Sequence, residues 1–291
     1  MNMKGILLAG GHGTRLHPTT ISISKHLIPI YDKPMIYYPL SVLMLAKIRD
    51  VVVIVSPEHE PLYKKLLGDG TRLGMRLQYL VQTEPRGIAD AFLLAKDYIK
   101  NSSVCLALGD NIFHGQGMTD ILTQSIKGNT GATIFGHAVH DPSRFGVVQC
   151  DPHSNIISIE EKPSQPKSNI AVTGLYFFDE TVVEKAEAIK PSNRGELEIS
   201  SILQLYLEEK KLALSMLGRG FAWLDTGTSA SLLEASNFVR AIEHSQGMKI
   251  ACLEEIAFDN DWIDRDHYLE LADLLKNTPY GQYMASKIKW R

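Results

Sequence analysis

The sequence predicts an α/β fold with a doubly wound, mostly parallel sheet. Over roughly the first half of the chain, short apolar runs alternate with segments whose apolar residues recur at helical spacing. Because parallel strands are joined by crossover helices, this alternation indicates a sheet covered by helices. Two loops, at 10–13 and 109–110, directly follow such runs and are therefore expected at the carboxyl edge of the sheet, where ligands collect.

The individual elements follow from the pattern in chain order. Buried strands are predicted at 5–9, 51–56, 77–80, 104–108 and 132–135, with helices between them at 36–48, 60–67, 88–99 and 120–126. From 146 to 178 the pattern becomes strand-rich, with breaks at Pro152, Pro163 and Pro166, which predicts an inserted mixed sheet. Beyond 228 the chain turns helical, over 232–242, 265–275 and 280–288.

The length and composition of the chain exclude several classes of protein. The chain has 291 residues, 44% of them hydrophobic and 22% charged, with a net charge of −3. A chain of this length can bury a full core in one large domain, and its charge argues against a dedicated nucleic-acid or membrane surface. The three cysteines are widely spaced, which favours reduced thiols. With no leader pattern and no apolar run of membrane-spanning length, a cytoplasmic protein is expected.

A glycine loop follows the first predicted strand. Gly10, Gly11 and Gly13 let the backbone turn tightly and offer N–H groups to phosphate. Leu16 occupies the place of the third small residue of a dinucleotide fingerprint, and the Gly-Lys-Ser/Thr of a P-loop is absent. Arg15 in the loop and Lys25 beyond it favour a site for several adjacent phosphates over a plain strand-to-loop connection with two surface cations.

Two carboxylates follow strand patterns. Asp110 ends one apolar run, and Asp225 follows another that ends at Leu224. Two such carboxylates are what Mg²⁺ needs from a protein when phosphate oxygens and water complete its shell, although a single aspartate at such a place is more often a turn or cap residue. The pair Glu161 and Lys162 combines an acceptor for hydroxyls with a cation, but neighbours on a strand point to opposite faces unless the strand ends or bulges there.

Motifs in a fixed order along the chain carry a family resemblance. They are the loop at 10–16 with Lys25, YDKPMIYYPL at 31–40, LGDNIF at 108–113, RFGVV at 144–148, EEKP at 160–163, VTGLY at 172–176, RGELEI at 194–199 and WLDTGT at 223–228. Together they resemble the sugar-1-phosphate nucleotidylyltransferases over the length of the chain. Phe145, where many relatives carry tyrosine, and His12, where a small residue is common, depart from the pattern.

The resemblance implies a Rossmann-like nucleotidyltransferase fold and a set of site roles. Catalytic roles fall to Arg15, Lys25 and Lys162. Nucleotide binding falls to Gly10, Gly11, Gly13, Thr14, Arg15, Gln82 and Gly87. Binding of the sugar phosphate falls to Asp110, Gly146, Glu161, Lys162 and Val172, and binding of Mg²⁺ to Asp110 and Asp225.

The implied activity is transfer of a thymidylyl group from dTTP to glucose 1-phosphate, as the first step towards dTDP-deoxysugars such as dTDP-rhamnose. Uridylyl or another nucleotidylyl transfer and a non-catalytic regulatory homologue stay open as alternatives. The resemblance further implies a homotetramer with a dTDP-deoxysugar effector.

The resemblance and the pattern divide the chain into two regions. A catalytic domain is expected at 1–228, with a nucleotide-binding part at about 1–140 and a sugar-binding part at about 141–228. A helical region at 229–291 is expected to serve as an oligomer or effector interface. Its aromatic residues fit an interface, although irregularly spaced aromatics are more often core; they are Trp262, Tyr268, Tyr280, Tyr283 and Trp290.

Overall fold

The computed structural model describes residues 3–288. The strands are β1 (Met3–Ala9), β2 (Pro29–Ile30), β3 (Lys33–Pro34), β4 (Asp50–Val55), β5 (Arg76–Val81), β6 (Ser103–Leu108), β7 (Asn111–His114), β8 (Ala132–Ala138), β9 (Gly146–Cys150), β10 (Ile156–Glu161), β11 (Ile170–Phe178), β12 (Leu212–Met216) and β13 (Ala222–Asp225). The α-helices are α1 (Tyr37–Leu45), α2 (Glu60–Leu67), α3 (Asp90–Leu94), α4 (Lys96–Ile99), α5 (Met118–Gly128), α6 (Val182–Ala188), α7 (Ile199–Glu208), α8 (Ser229–Gln246), α9 (Leu253–Asp259), α10 (Arg265–Leu274) and α11 (Pro279–Lys287).

The central sheet is mixed, with a parallel half and an antiparallel half. The strand order is β10-β9-β11-β6-β1-β4-β5, and β8 adds to β11 and carries β12. The strands β6, β1, β4 and β5 run parallel, whereas β11 runs antiparallel to β6, β8 and β9. The predicted α/β fold class is therefore confirmed, with a Rossmann-like parallel half that ends in the two predicted loops.

Burial explains the composition of the parallel strands. The run Val51 to Val55 in β4 is fully buried and consists of valine and isoleucine, because helices cover both faces of the sheet here. One apolar cluster lies on the face that carries α1 and the C-terminal helices, and a second lies on the face that carries α3, α6 and α7. Helix α1 is apolar almost all round and nearly all buried, because α9 packs against it.

The predicted elements differ from the observed ones at several places, and α6, α7, α9 and β12 are among the elements that the pattern did not identify. The helical pattern at 88–99 forms two shorter helices, α3 and α4, separated by Ala95. The strand-rich segment contains β9, β10 and β11, whereas the pattern did not reveal β7 and β13, which form a separate two-stranded ribbon. That ribbon connects the end of β6 with the beginning of α8, so it matters for the site.

The C-terminal helices begin beside the ribbon and pack on the sheet domain. Helix α8 starts at the capping residue Thr228, whose Oγ1 accepts a hydrogen bond of 3.2 Å from the Ser231 N–H, and it ends at Gly247 with φ 64°. Tyr268 is fully buried, and Trp262, Tyr280 and Tyr283 pack against the same core cluster. Trp290 lies outside the described residues.

Two further observations concern the state of the cysteine thiols and the length and hydropathy of the helices. Cys105, Cys150 and Cys252 are all free, in keeping with the expected reduced state. Between residues 3 and 288, no helix is both long and apolar enough to cross a membrane.

Candidate active site

The glycine loop leaves the carboxyl end of β1 at the predicted edge of the sheet. Gly13 takes a left-handed conformation with φ 61°, and its carbonyl oxygen accepts a hydrogen bond of 2.7 Å from the Thr20 hydroxyl. A short 3-10 helix, Thr14–Leu16, follows and leaves the Arg15 side chain exposed. The positive φ of Gly13 and the hydroxyl contact together fix the curvature of the loop.

A cavity of about 420 Å³ lies under this loop, and we call it the loop cavity. Residues of the glycine loop, the segment that follows it and the ends of β6 and β13 contribute to its wall: Gly11, His12, Gly13, Thr14, Arg15, Lys25, His26, Asp110, Glu196, Asp225 and Gly227 are among them. The structure thus brings together most of the predicted phosphate-binding residues and both predicted metal ligands.

A second cavity of about 170 Å³ adjoins the first, and we call it the strand cavity. The two cavities share Arg15, Asp110 and Asp225. The strand cavity is further lined by residues of the antiparallel half, including Asn111, Arg144, Phe145, Gly146, Glu161, Lys162, Val172, Thr173 and Trp223. All five residues predicted to bind the sugar phosphate therefore line one cavity, next to the predicted phosphate loop.

Glu161 and Lys162 both reach the strand cavity although they are neighbours in sequence. Strand β10 ends at Glu161, and Lys162 has a left-handed backbone with φ 42°. This reversal cancels the alternation of a strand, so both side chains face the same space. Gly146 pairs with Glu161 across β9 and β10, and a Cβ at Gly146 would lie 3.6 Å from Glu161 Oε2.

Lys25 contacts Asp110 directly. Its Nζ donates to Asp110 Oδ2 at 2.6 Å, and the Asn111 side-chain amide donates to Asp110 Oδ1 at 2.8 Å. Burial disfavours the charged form of Asp110, but Lys25 and the amide outweigh it and hold the pKa of Asp110 below its ordinary value. Asp110 is therefore ionised at neutral pH.

Asp225 has the opposite shift. Burial, and then the neighbouring Asp110 carboxylate, raise the pKa of Asp225 above its ordinary value, against the lowering effect of Lys25 and Arg144. Arg144 Nη2 lies 3.3 Å from Asp225 Oδ2. Mutual repulsion between the two carboxylates is the electrostatic setting in which a further cation is bound favourably.

The two carboxylates fit a metal that takes most of its ligands from substrate and water. Within 3–288, no group of three or more His, Cys, Asp or Glu residues is arranged to hold a metal ion. Mg²⁺ is commonly bound through one or two carboxylates together with substrate phosphates. The hard oxygen donors of Asp110 and Asp225, at the junction of the two cavities, suit that mode of binding.

Three predicted nucleotide-binding residues do not line either cavity. Gly10 faces Gln82, since a Cβ at Gly10 would lie 2.7 Å from Gln82 Oε1. Gln82 is buried and its amide donates to Asp90 Oδ2 at 2.9 Å. Gly87, with φ 107°, is packed against the backbone of Leu197. The predicted contact of Gln82 and Gly87 with the base, and the predicted role of Gly10 in nucleotide binding, stay predictions.

Three residues of the site lie in the family motifs, but the sequence analysis assigns them no role. Arg144 pairs with Asp225, and its guanidinium lies 5.4 Å from the Phe145 ring centre. Asn111 Oδ1 accepts hydrogen bonds from the Gly174 N–H at 2.9 Å and from Trp223 Nε1 at 2.5 Å. The Thr226 hydroxyl donates a hydrogen bond to the backbone carbonyl oxygen of Asp110. Their positions in the motifs could have marked these residues as functional. Their contacts could not be predicted, because the partners are distant in sequence.

The two departures from the family pattern lie at the rims of the cavities. Phe145 packs against Trp223 with ring centres 4.8 Å apart, so its ring takes part in an aromatic wall. His12 is exposed at the loop cavity. The roles given to individual site residues from sequence stay predictions.

Comparison with known proteins supplies the class. The model of the nucleotidyl transferase family matches residues 4–242. The chain belongs to the nucleotidyl transferase family, which confirms the resemblance found in its motifs. Enzymes of this family act on a nucleoside triphosphate and a sugar 1-phosphate and generally use a divalent metal ion.

Individual relatives narrow the class further. The chain is 57% identical to a glucose-1-phosphate thymidylyltransferase of Neisseria gonorrhoeae, over 97% of this chain and 98% of that one. It is 54% identical to the enzyme of the same name from Neisseria meningitidis serogroup A, over 99% and 100% of the two chains. A crystal structure from Bacillus anthracis, described as a glucose-1-phosphate thymidylyltransferase with sucrose, has a TM-score of 0.76 at 39% identity and covers 82% of this chain and 95% of its own.

Proposed function

We propose that this protein transfers the thymidylyl group of dTTP to glucose 1-phosphate, forming dTDP-glucose and pyrophosphate. The observation that carries the proposal is the identity of 57% over 97% of the chain to a relative named for this reaction. Two adjoining cavities, one walled by a phosphate-type loop and one by Glu161 and Lys162, support it.

The chemistry is an in-line displacement at the α-phosphorus. A phosphate oxygen of glucose 1-phosphate forms a bond to the α-phosphorus of dTTP, and the bond from that phosphorus to the bridging oxygen of the β-phosphate breaks. Pyrophosphate leaves with the electron pair of the broken bond. The nucleophile is already an anion, so no general base is required, and catalysis consists of positioning and charge neutralisation.

The residues around the cavities divide this task. The N–H groups of the glycine loop and the Arg15 guanidinium hold the triphosphate, and Lys25 neutralises charge that develops during transfer. Lys162 holds the incoming sugar phosphate, while Glu161 accepts hydrogen bonds from sugar hydroxyls. Gly146 and Val172 complete the sugar site, and Gln82 and Gly87 contact the base edge from behind the loop.

Asp110 and Asp225 would hold the divalent ion, which we infer to be Mg²⁺. When bound, the ion supplies positive charge to the phosphate oxygens and helps to hold them in line. The side chains prepare this place beforehand, since Asn111 orients the Asp110 carboxylate by a hydrogen bond of 2.8 Å.

The proposal also specifies the nucleobase that the enzyme prefers. Thymine and uracil differ by one methyl group, which a pocket distinguishes by only about 1–3 kcal/mol. We therefore expect measurable use of UTP, and uridylyl transfer is the alternative within the class.

Assembly and biological setting are inferred in the same way. We expect a homotetramer in which the helical region beyond 228 contributes to contacts between subunits, and control by a dTDP-deoxysugar made further along the route from dTDP-glucose. Because both proposed substrates are metabolites of the cytosol, we expect a cytoplasmic enzyme. Light scattering of the purified protein tests the tetramer, and inhibition by dTDP-rhamnose tests the control.

The decisive experiment is pyrophosphate release by purified protein with Mg²⁺, pairing each of dTTP, UTP, CTP, ATP and GTP with glucose 1-phosphate. Release should be fastest with dTTP and should be lost in Lys25→Ala. Lys64→Ala is the matched control, because Lys64 lies on the surface away from both cavities and pairs with Glu60 at 2.8 Å. A preference for another triphosphate would overturn the base assignment, and no release from folded protein would favour a regulatory homologue.

A further inference from the structure

Both carboxylates at the junction of the cavities already have cationic partners. Lys25 Nζ lies 2.6 Å from Asp110 Oδ2, and Arg144 Nη2 lies 3.3 Å from Asp225 Oδ2. The remaining oxygen of Asp110 accepts the Asn111 amide. Three of the carboxylate oxygens that could bind a divalent ion are therefore engaged by the protein's own side chains.

The two cations differ in how firmly they are held. The Lys25 side chain is only 10% exposed and is flanked by the buried segment that contains Ser24 and His26. The Arg144 side chain is 50% exposed, lies over the Phe145 ring and sits on the rim of the strand cavity. Arg144 is therefore the more easily displaced of the two side chains, and the buried Lys25 borders the loop cavity.

Each cation has an alternative partner once substrate is present. Lys25 lines the loop cavity beside Arg15 and the glycine loop, where the triphosphate is proposed to lie. Arg144 lines the strand cavity beside Lys162, where the sugar phosphate is proposed to lie. Phosphate oxygens attract both side chains away from the carboxylates and leave the carboxylate oxygens free.

We propose that Lys25 and Arg144 are internal counter-ions that occupy Asp110 and Asp225 before substrate binds, so that the divalent ion enters with the triphosphate and not alone. This inference rests on the proposed function for the identity of the incoming phosphates. It assigns Arg144 a new part as a positioning residue, which controls whether Asp225 is available to the metal. The ion pairs also keep two repelling carboxylates stable in the substrate-free protein.

The experiment measures binding of Mn²⁺ to the protein without any nucleotide. Free Mn²⁺ is followed by its electron paramagnetic resonance signal at an ionic strength near that of the cell. The variant Arg144→Gln removes one counter-ion and keeps a side chain of similar shape. It should bind Mn²⁺ about 10-fold more tightly than the wild type, because a cation next to Asp225 has been removed from a partly exposed site.

Arg76→Gln is the matched control. Arg76 pairs with Asp50 at the starts of β4 and β5, which is the opposite edge of the sheet from the site. The same loss of charge there should leave the affinity for Mn²⁺ unchanged. Lys25→Met is a second variant, in which Asp110 loses its cationic partner. Circular dichroism is used to check that this variant is folded before its affinity for Mn²⁺ is compared with that of the wild type.

The second arm measures binding of the preformed Mn²⁺–dTTP complex to the protein by equilibrium dialysis, with no sugar phosphate present. The ratio of affinities between Lys25→Met and wild type should fall to about 2-fold or less, because the triphosphate draws Lys25 away from Asp110, whereas Arg144→Gln should keep its advantage without a sugar phosphate to draw Arg144 away from Asp225. The proposal is wrong if wild type alone binds Mn²⁺ as tightly as Arg144→Gln and Lys25→Met do. Failure of the proposed function appears separately, as absence of pyrophosphate release by the wild type.

Discussion

The Thr226 hydroxyl donates a hydrogen bond of 2.8 Å to the backbone carbonyl oxygen of Asp110, and the Thr226 N–H lies 3.2 Å from the same oxygen. Thr226 directly follows Asp225 and is fully buried. The contact therefore links Thr226, which follows Asp225 in the chain, to the backbone of Asp110. It sets the relative position of Asp110 and Asp225, on which the proposed metal site depends.

Thr226→Val tests this link. The variant keeps the shape and the N–H contact but loses the hydroxyl, so it should lose about 1 kcal/mol of stability and at least about 10-fold in kcat, because small displacements of catalytic groups are costly. Thr133→Val is the matched control, because Thr133 is also buried and its hydroxyl donates to Asn129 Oδ1 at 3.0 Å, but it lines neither cavity. An unchanged kcat in folded Thr226→Val would show that the hydroxyl does not position the carboxylates.

Lys162→Met tests the proposed contact with the sugar phosphate. Loss of a charge-assisted hydrogen bond should lower kcat/KM for glucose 1-phosphate about 10- to 100-fold, with little change in KM for dTTP. Lys167→Met is the control, because Lys167 pairs with Glu160 on the surface at 2.6 Å. Steady-state kinetics with each substrate varied in turn gives the two values. An equal effect on both substrates would contradict a role confined to the sugar phosphate.

The buried His26 predicts a loss of stability in acid. Burial lowers the pKa of His26 from 6.5 to about 4, so the folded protein keeps it neutral while the unfolded chain protonates it below about pH 6.5. Between pH 6.5 and 4 the unfolded state binds the extra proton, and stability therefore falls as pH falls, by on the order of 3 kcal/mol.

Urea unfolding at a series of pH values measures this loss. His26→Asn should flatten the dependence over that range, whereas the same change at the exposed His153 should not. If wild type and His26→Asn showed the same slope with pH, another group would be responsible for it.

Four charges join the C-terminal region to the segment that carries Lys25. Glu243 at the end of α8 accepts hydrogen bonds from Lys33 Nζ at 2.8 Å and from Lys249 Nζ at 2.7 Å, and both lysines also pair with Asp32. The side chains of Lys33 and Glu243 are only 2% and 5% exposed. We call Asp32, Lys33, Glu243 and Lys249 the four-charge cluster.

Glu243→Gln should destabilise the protein strongly. It leaves two lysines of the four-charge cluster to share Asp32, and breaking a buried ion pair in this way costs about 3 kcal/mol or more. Glu234→Gln, at an exposed position of the same helix, should change stability by less than about 0.5 kcal/mol. Chemical denaturation compares the two, and equal midpoints would show that the cluster contributes nothing to stability.

Much of the fold could be predicted from the sequence. The parallel strands are continuous apolar runs because they are covered on both faces, and this pattern is local, so their positions were predicted to within a few residues. The ribbon of β7 and β13 could not be predicted in this way. Its strands pair residues about 110 positions apart, as Trp223 does with Phe113, and no local pattern reports such a contact.

The site shows the same division. The residue types at 10–15 and at 110 pointed to phosphate and metal chemistry because glycine, arginine and aspartate have distinct physical roles. The alternation rule counted against Glu161 and Lys162 facing one space, and the left-handed backbone at Lys162 resolves that conflict. The pairing of Lys25 with Asp110 and of Arg144 with Asp225 depends on side-chain positions in the folded chain and was not predicted.

The close approach of Gly10 to Gln82 has a consequence for how this enzyme could change its substrate. A Cβ at Gly10 would lie 2.7 Å from the Gln82 amide oxygen, so the loop proposed to hold phosphate and the side chain proposed to contact the base are in close contact. A bulkier residue at 82 displaces the loop, and any side chain at 10 displaces the amide. Directed evolution towards another nucleobase would therefore encounter a trade-off here, and its productive first substitutions should be sought at positions that do not touch the loop.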